Sequence, residues 1–172
     1  MGRLLRRGSP PTVVRTEPAK AGLPTWQRRA DGLHERLCDL VYTFTLDETA
    51  HLASGPSLRE AIETVDAETG EDRPDFYGIN CSHPIEFLPA LEPGDWTQRI
   101  RILRPNAALM DKVSLCRIGH LEEGDPRELG LLLAALARRY PHIDIWGGCC
   151  GTWDKHLHQI ARDVRAAHAN PQ

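Results

Sequence analysis

The sequence predicts an α/β protein built on a parallel sheet. Three observations lead there. Four short apolar or β-branched runs, at 40–45, 76–80, 99–103 and 143–147, have the length and composition of buried strands. Helical patterns separate them and follow the last, which gives the alternation that parallel strands with crossover helices require. Cysteines follow directly on two of the strands, and proteins of this class carry their chemistry beyond the C-terminal ends of the strands.

Each element has a local reason. "LVYTFT", Leu40 to Thr45, is β-branched and aromatic throughout. After a Gly/Ser/Pro loop, "SLREAIETVDAETG" predicts a helix: Ser57 caps it, Glu60 completes a capping box, and Leu58, Ala61, Ile62 and Val65 form one apolar stripe. Gly70 ends it. "FYGIN", Phe76 to Asn80, is the second strand, and a short apolar segment runs from Ile85 to Leu91. "RIRIL", Arg99 to Leu103, is the third strand, and residues 106–123 read as a loop with some helix. In "GDPRELGLLLAALARRY" Asp125 caps, Pro126 suits the first helical position, Glu128 completes the box, and Arg138 and Arg139 complement the dipole of the last turn. "IDIWG", Ile143 to Gly147, is the fourth strand, and Thr152 caps a final helix that carries Leu157, Ile160, Ala161 and Val164.

At 172 residues the chain has room for one domain. A net charge of -3 gives no nucleic-acid footprint. Residues 1–30 hold seven basic residues against the single acid Glu17, and four prolines interrupt any long helix there. Residues 1–35 therefore read as a basic, flexible leader, and residues 36–172 as the domain. No stretch has the apolar segment of a signal peptide, and the run from Leu129 to Ala137 is too short to span a bilayer. The expected location is cytoplasmic, with no membrane and no nucleic acid among the partners. Five cysteines without a secretory signal point to free thiols, metal ligands or a catalytic thiol rather than to disulfides.

Cys81 follows the second strand, and Cys149 and Cys150 follow the fourth. Cys38 and Cys116 do not follow strands and read as bystanders. Three thiolates with a fourth position open is the pattern of a catalytic zinc site. Glycines flanking the pair allow a sharp turn, and the helix that starts behind it favours thiolate over thiol. Two other readings stay open on spacing alone: cysteines buried as core residues, and a redox pair formed by Cys149 and Cys150.

"WGGCCGT" after a strand, with "FYGINCSHP" upstream, resembles the homocysteine S-methyltransferase family in its zinc-dependent, bacterial-type form. "YTFT", "SGPSLREAIETVD", "GDPRELG" and "LARRYPHI" extend the resemblance over roughly residues 40–165 in the same order. It implies a (β/α)₈ barrel, of which this chain carries about four β/α units, the second half. It implies Zn2+ held by Cys81, Cys149 and Cys150. It implies transfer of a methyl group from a sulfonium or betaine donor to the thiol of homocysteine, giving methionine. Asn80, beside a ligand, is a candidate to orient it. His83 reads as a capping or packing residue, and His120, His156 and His158 as surface residues. The Asp-Gly element that opens the family's first half has no counterpart here. Asp47 and Glu48, in "TLDETAH", stand near an acidic position of the subgroup. A half barrel has two open edges, so a homodimer or a complementing half-barrel is the expected partner. The alternative function is a non-catalytic zinc-binding or partner-binding remnant of the family.

Overall fold

The computed structural model describes residues 41–111, 114 and 117–169. The leader, Cys38 and Cys116 lie outside the described residues.

Four strands form one parallel sheet: β1 (Val41–Phe44), β2 (Phe76–Asn80), β3 (Ile100–Arg104) and β4 (Ile145–Trp146), in the spatial order β1-β2-β3-β4. The helices are α1 (Leu58–Thr69), α2 (Pro84–Phe87), α3 (Pro126–Arg139) and α4 (Asp154–Ala169). The fold is therefore α/β with a parallel sheet, as the alternating pattern predicts.

The helices form where their ends are satisfied. Ser57 and Glu60 make a reciprocal capping box at α1, and Leu58, Ala61 and Ile62 are its buried stripe. At α3 the Asp125 carboxylate accepts from the Arg127 N–H and Pro126 occupies the first turn. The reciprocal bond expected of Glu128 is not made; its side chain is exposed to water instead. The apolar face of α3, including Leu129, Leu133 and Leu136, packs with Ile160 and Val164 of α4 in the core.

Three elements differ from the sequence reading. The fourth strand shrinks from five residues to Ile145–Trp146, the two residues that pair with β3, through Ile102↔Ile145 and Leu103↔Trp146. The third strand begins one residue later, because the backbone of Arg99 closes the 3-10 turn Asp95–Arg99. The apolar segment after β2 is helical, in α2 and a 3-10 turn at Leu88–Ala90.

The two faces of the sheet differ in kind. Alternation along the strands sends Tyr42, Phe44, Tyr77, Ile79 and Leu103 to one face, where all are buried in the core. The other face carries Val41, Thr43, Phe76, Gly78, Asn80, Ile102, Arg104 and Ile145. A β-carbon on Gly78 would meet Ile102 Cβ at 2.8 Å and Thr43 Cγ2 at 3.0 Å, which fixes these residues on one side. A register shift between Tyr77 and Gly78 brings Ile102 there.

A polar knot fastens the N-terminal end of the sheet. Asp66 of α1 accepts from the Tyr77 hydroxyl at 2.8 Å and from Arg99 Nη2 at 2.9 Å. Arg99 also donates to the carbonyls of Pro74 and Asp75. Burial pushes the Tyr77 hydroxyl far above its ordinary pKa, and the neighbouring Asp66 adds to this. No helix among the described residues is long and apolar enough to cross a membrane.

Candidate metal centre

The opposite, C-terminal end of the sheet carries the cysteines. Cys81 is the first residue after β2, and its backbone turns into the left-handed region, φ 53°. That conformation costs a residue with a β-carbon about 1 kcal/mol or more, and it is held by the Cys81 N–H, which donates to the Arg104 carbonyl at 3.1 Å. Strained residues of this kind are found at functional sites.

Cys149 and Cys150 lie on the turn between β4 and α4. The Cys149 N–H donates to the Pro105 carbonyl at 2.7 Å, and the Thr152 hydroxyl donates to the Cys149 carbonyl at 2.6 Å. Two glycines are required by this turn. A β-carbon on Gly148 would lie 2.2 Å from Thr152 Oγ1. Gly151 has φ +76°, and a β-carbon there would lie 1.9 Å from the Glu122 carbonyl oxygen.

Asn106 ties the two turns together. Its side-chain N–H donates to the Cys81 carbonyl at 3.0 Å, and its Oδ1 accepts from the Cys150 N–H at 3.2 Å. Its own N–H reaches the Ser82 carbonyl, and the next N–H, of Ala107, reaches the Cys150 carbonyl. Asn106 is only 2% exposed, so its amide serves the protein rather than the solvent.

The result is a cluster: Sγ atoms of Cys81, Cys149 and Cys150 all lie within 4.8 Å of one another. In the structure Cys81 and Cys149 are joined as a disulfide with Cα atoms 5.4 Å apart, and Cys150 is a free, exposed thiol. This departs from the expected free thiols, and the pairing is not the Cys149–Cys150 redox couple. The reason is convergence: turns that gather three sulfurs around one point also bring two of them within bonding reach.

Among the other expected site residues, Asn80 is buried on the sheet's second face, and its Oδ1 has no hydrogen-bond partner. The bonds expected of it, holding a cysteine turn in place, are made by Asn106. The sequence signal for Asn106 is its position: "RPN" ends the third strand as "INC" ends the second. His83 caps α2, with Nδ1 accepting from the Ile85 N–H. His120 and His158 are exposed, and the Glu122 carboxylate bonded to His120 raises its pKa. His156 is a correction: it is fully buried, its Nδ1 accepting from the Trp153 N–H and its Nε2–H donating to the Glu123 carbonyl. Its spacing to Ile160 and Val164 is the signal that places it on the buried face of α4. The cap expected of Thr152 is supplied by the His156 ring, while Thr152 closes the cysteine turn. Asp47 is likewise spent on its own loop, accepting from the Thr49 N–H and hydroxyl. An apolar cavity of about 160 Å³ between α2 and α3 has no cysteine in its lining.

Three sulfurs facing one point form a soft donor set that suits zinc. No curated protein matches the chain. The family model described as homocysteine S-methyltransferase matches residues 11–164, beginning inside the segment read as a leader. A match over that span, together with three cysteines gathered at the ends of two parallel strands, makes this chain a member of the homocysteine S-methyltransferase family.

Proposed function

We propose that the chain transfers a methyl group from a sulfonium or betaine donor to the sulfur of homocysteine, giving methionine. In this reading Cys81, Cys149 and Cys150 hold Zn2+. The observation that carries the proposal is the convergence of the three sulfurs within 4.8 Å at the C-terminal end of the sheet. Three protein ligands leave a fourth position for substrate, whereas a structural zinc site takes four. Zinc bound there supplies a Lewis acid that keeps a coordinated thiol deprotonated at neutral pH.

The chain's own residues prepare that position. The left-handed turn at Cys81 aims its sulfur across the strand ends, and Asn106 fixes the distance between the Cys81 turn and the Cys149–Cys150 turn. The N-terminus of α4 lies behind the pair and favours the thiolate form. The reaction asks the protein for no general base at the methyl group: sulfur gains the methyl, and the donor leaves as a neutral sulfide or amine with the bonding electrons. The sheet reads as part of a (β/α)₈ barrel. The reaction is proposed for a soluble, cytoplasmic protein.

The test begins with reduced protein, since a disulfide offers no thiolate pair. Metal analysis after zinc loading is expected to find one zinc per chain, and Cys81→Ser, Cys149→Ser and Cys150→Ser are each expected to abolish it. Methionine formation from homocysteine and a sulfonium donor is then expected of the loaded chain. Zinc binding without methionine, with either donor class and at concentrations that favour self-association, would favour the remnant reading. No zinc binding at all would overturn the site.

A further inference from the structure

His156 is a fully buried titratable group that the methyl-transfer reading does not use. Both of its ring nitrogens are spent on backbone. Nδ1 accepts from the Trp153 N–H at 3.1 Å, which leaves the proton on Nε2, and Nε2–H donates to the Glu123 carbonyl at 2.6 Å. Packing explains neither bond. His156 shares the buried face of α4 with Ile160 and Val164, where an aliphatic side chain would fill the space with no polar group to satisfy. Capping explains one bond alone. His156 is the third residue of α4, a place where Glu or Gln ordinarily reaches back to the N–H before the helix. What the imidazole adds is a second, opposite nitrogen, which ties the first turn of α4 to a carbonyl 33 positions earlier in the chain.

That carbonyl belongs to residues 122–124, which form a wall behind the cysteine turn. The wall is pressed between two segments. On one side a β-carbon on Gly124 would lie 2.3 Å from the Ala107 carbonyl oxygen. On the other side a β-carbon on Gly151 would lie 1.9 Å from the Glu122 carbonyl oxygen. Ala107 in turn donates its N–H to the Cys150 carbonyl at 2.9 Å. Two contacts fasten the wall to α4. One is the ion pair of Lys155 with the Glu123 carboxylate, which is exposed to water and contributes little. The other is the buried bond from His156, shielded from solvent and correspondingly stronger.

We propose that His156 is a positioning residue for Cys150. It holds the wall against Gly151 and Ala107, and so sets where the Cys150 sulfur stands relative to the other two. Cys81 and Cys149 are held without the wall: Cys81 by the Arg104 carbonyl and the Asn106 amide, Cys149 by the Pro105 carbonyl and the Thr152 hydroxyl. Cys150 is the exposed member of the three and the one whose chain neighbour touches the wall. The proposal rests on the zinc reading above and deepens it: the third sulfur joins the cluster because a buried imidazole fixes the loop behind it.

The test reads metal binding rather than turnover, on full-length reduced protein. Zinc affinity is measured by competition with a chromogenic chelator, and the thiolate-to-cobalt absorption band is recorded after loading with Co2+. His156→Leu keeps an apolar side chain and loses both bonds. His156→Glu keeps an acceptor for the Trp153 N–H and has no donor for the Glu123 carbonyl. His156→Gln carries both an acceptor and a donor. The Leu and Glu variants are each expected to weaken zinc about tenfold or more and to lower the band per cobalt, and the Gln variant is expected to restore most of both. Val164→Ala, on the same buried face of α4, is the control. It is expected to lower the denaturant midpoint and to leave affinity and band unchanged. Should the Glu variant fail to fold, the comparison of Leu with Gln carries the test. Native zinc affinity in His156→Leu, or an equal loss in Val164→Ala, would reduce His156 to a core residue while the metal site stands. If the native chain binds neither metal, the zinc reading fails and the positioning role falls with it.

Discussion

The two faces of one four-stranded sheet follow different rules. On the helix side, Tyr77, Ile79 and Leu103 are fully buried among α-helical side chains, and every position is aliphatic or aromatic. On the other side, the same strands present Thr43, Gly78, Asn80 and Arg104 beside the apolar Val41, Phe76, Ile102 and Ile145, and three side-chain oxygens there lack a hydrogen-bond partner. Adjacent residues of one strand thus belong to different problems. The helix side lowers the free energy of the fold by removing apolar surface from water. The other side raises it by burying polar groups without a hydrogen-bond partner.

Leu103 and Ile102 test this division within one strand, and the effect expected is the largest. Leu103→Ala removes a fully buried side chain from the core and is expected to cost about 3 kcal/mol. Ile102→Ala trims a half-buried side chain on the second face and is expected to cost about 1 kcal/mol or less. Denaturant midpoints at equal slope measure both. Equal losses would mean that the second face is packed as tightly as the first.

The turns at the C-terminal end of the sheet join the two problems, because their backbone geometry serves the sulfurs. Gly151→Ala puts a β-carbon at φ +76° and against the Glu122 carbonyl, and is expected to destabilise by about 2 kcal/mol. Zinc affinity of the reduced protein is expected to fall with it. Asn106→Ala leaves the Cys81 carbonyl and the Cys150 N–H without their partner. It is expected to weaken zinc about 10–100-fold. Asn106→Asp keeps the acceptor for Cys150 and loses the donor to Cys81, so an intermediate affinity is expected. Competition with a chromogenic chelator measures all three. An Asn106→Ala protein with native zinc affinity would show that the two turns hold their positions without the clamp.

The same division governs what is legible in the sequence. The strands, the α1 capping box and the apolar stripes are local patterns, and a pattern within a dozen residues is visible in the chain itself. The cysteine cluster is legible because two strand ends announce where side chains meet in an α/β fold. The remainder depends on partners distant in sequence. Whether Asn106 clamps the site is decided by residues 25 and 44 positions away. Helical spacing places His156 on the buried face of α4, but that the Glu123 carbonyl receives its ring is set by a residue 33 positions away. The extent of the fourth strand is set by its pairing with β3, more than 40 positions away, and the pairing of Cys81 with Cys149 follows from where two loops meet.

The smallest expected effect lies on the helix side and away from the cysteine turns. The Glu60 carboxylate accepts from the Ser57 N–H and hydroxyl, each at 2.8 Å, and these bonds hold its pKa below the ordinary 4.5. A carboxyl group whose pKa is lower folded than unfolded adds stability that is present above the unfolded value. That increment is lost as the pH falls from about 4.5 through the folded pKa. Other carboxylates titrate in the same window, Asp47 and Asp163 among them, so the raw acid slope does not isolate the cap. The difference between the native chain and Glu60→Gln does: it is expected to be small, to be constant at neutral pH, and to shrink toward zero as the pH drops below 4.5. Zinc affinity at neutral pH is expected to be the same in both, because α1 supplies no bond to either cysteine turn. A change in zinc affinity would mean that the helix side and the other side are coupled, and the separation drawn between the two faces would have to be abandoned.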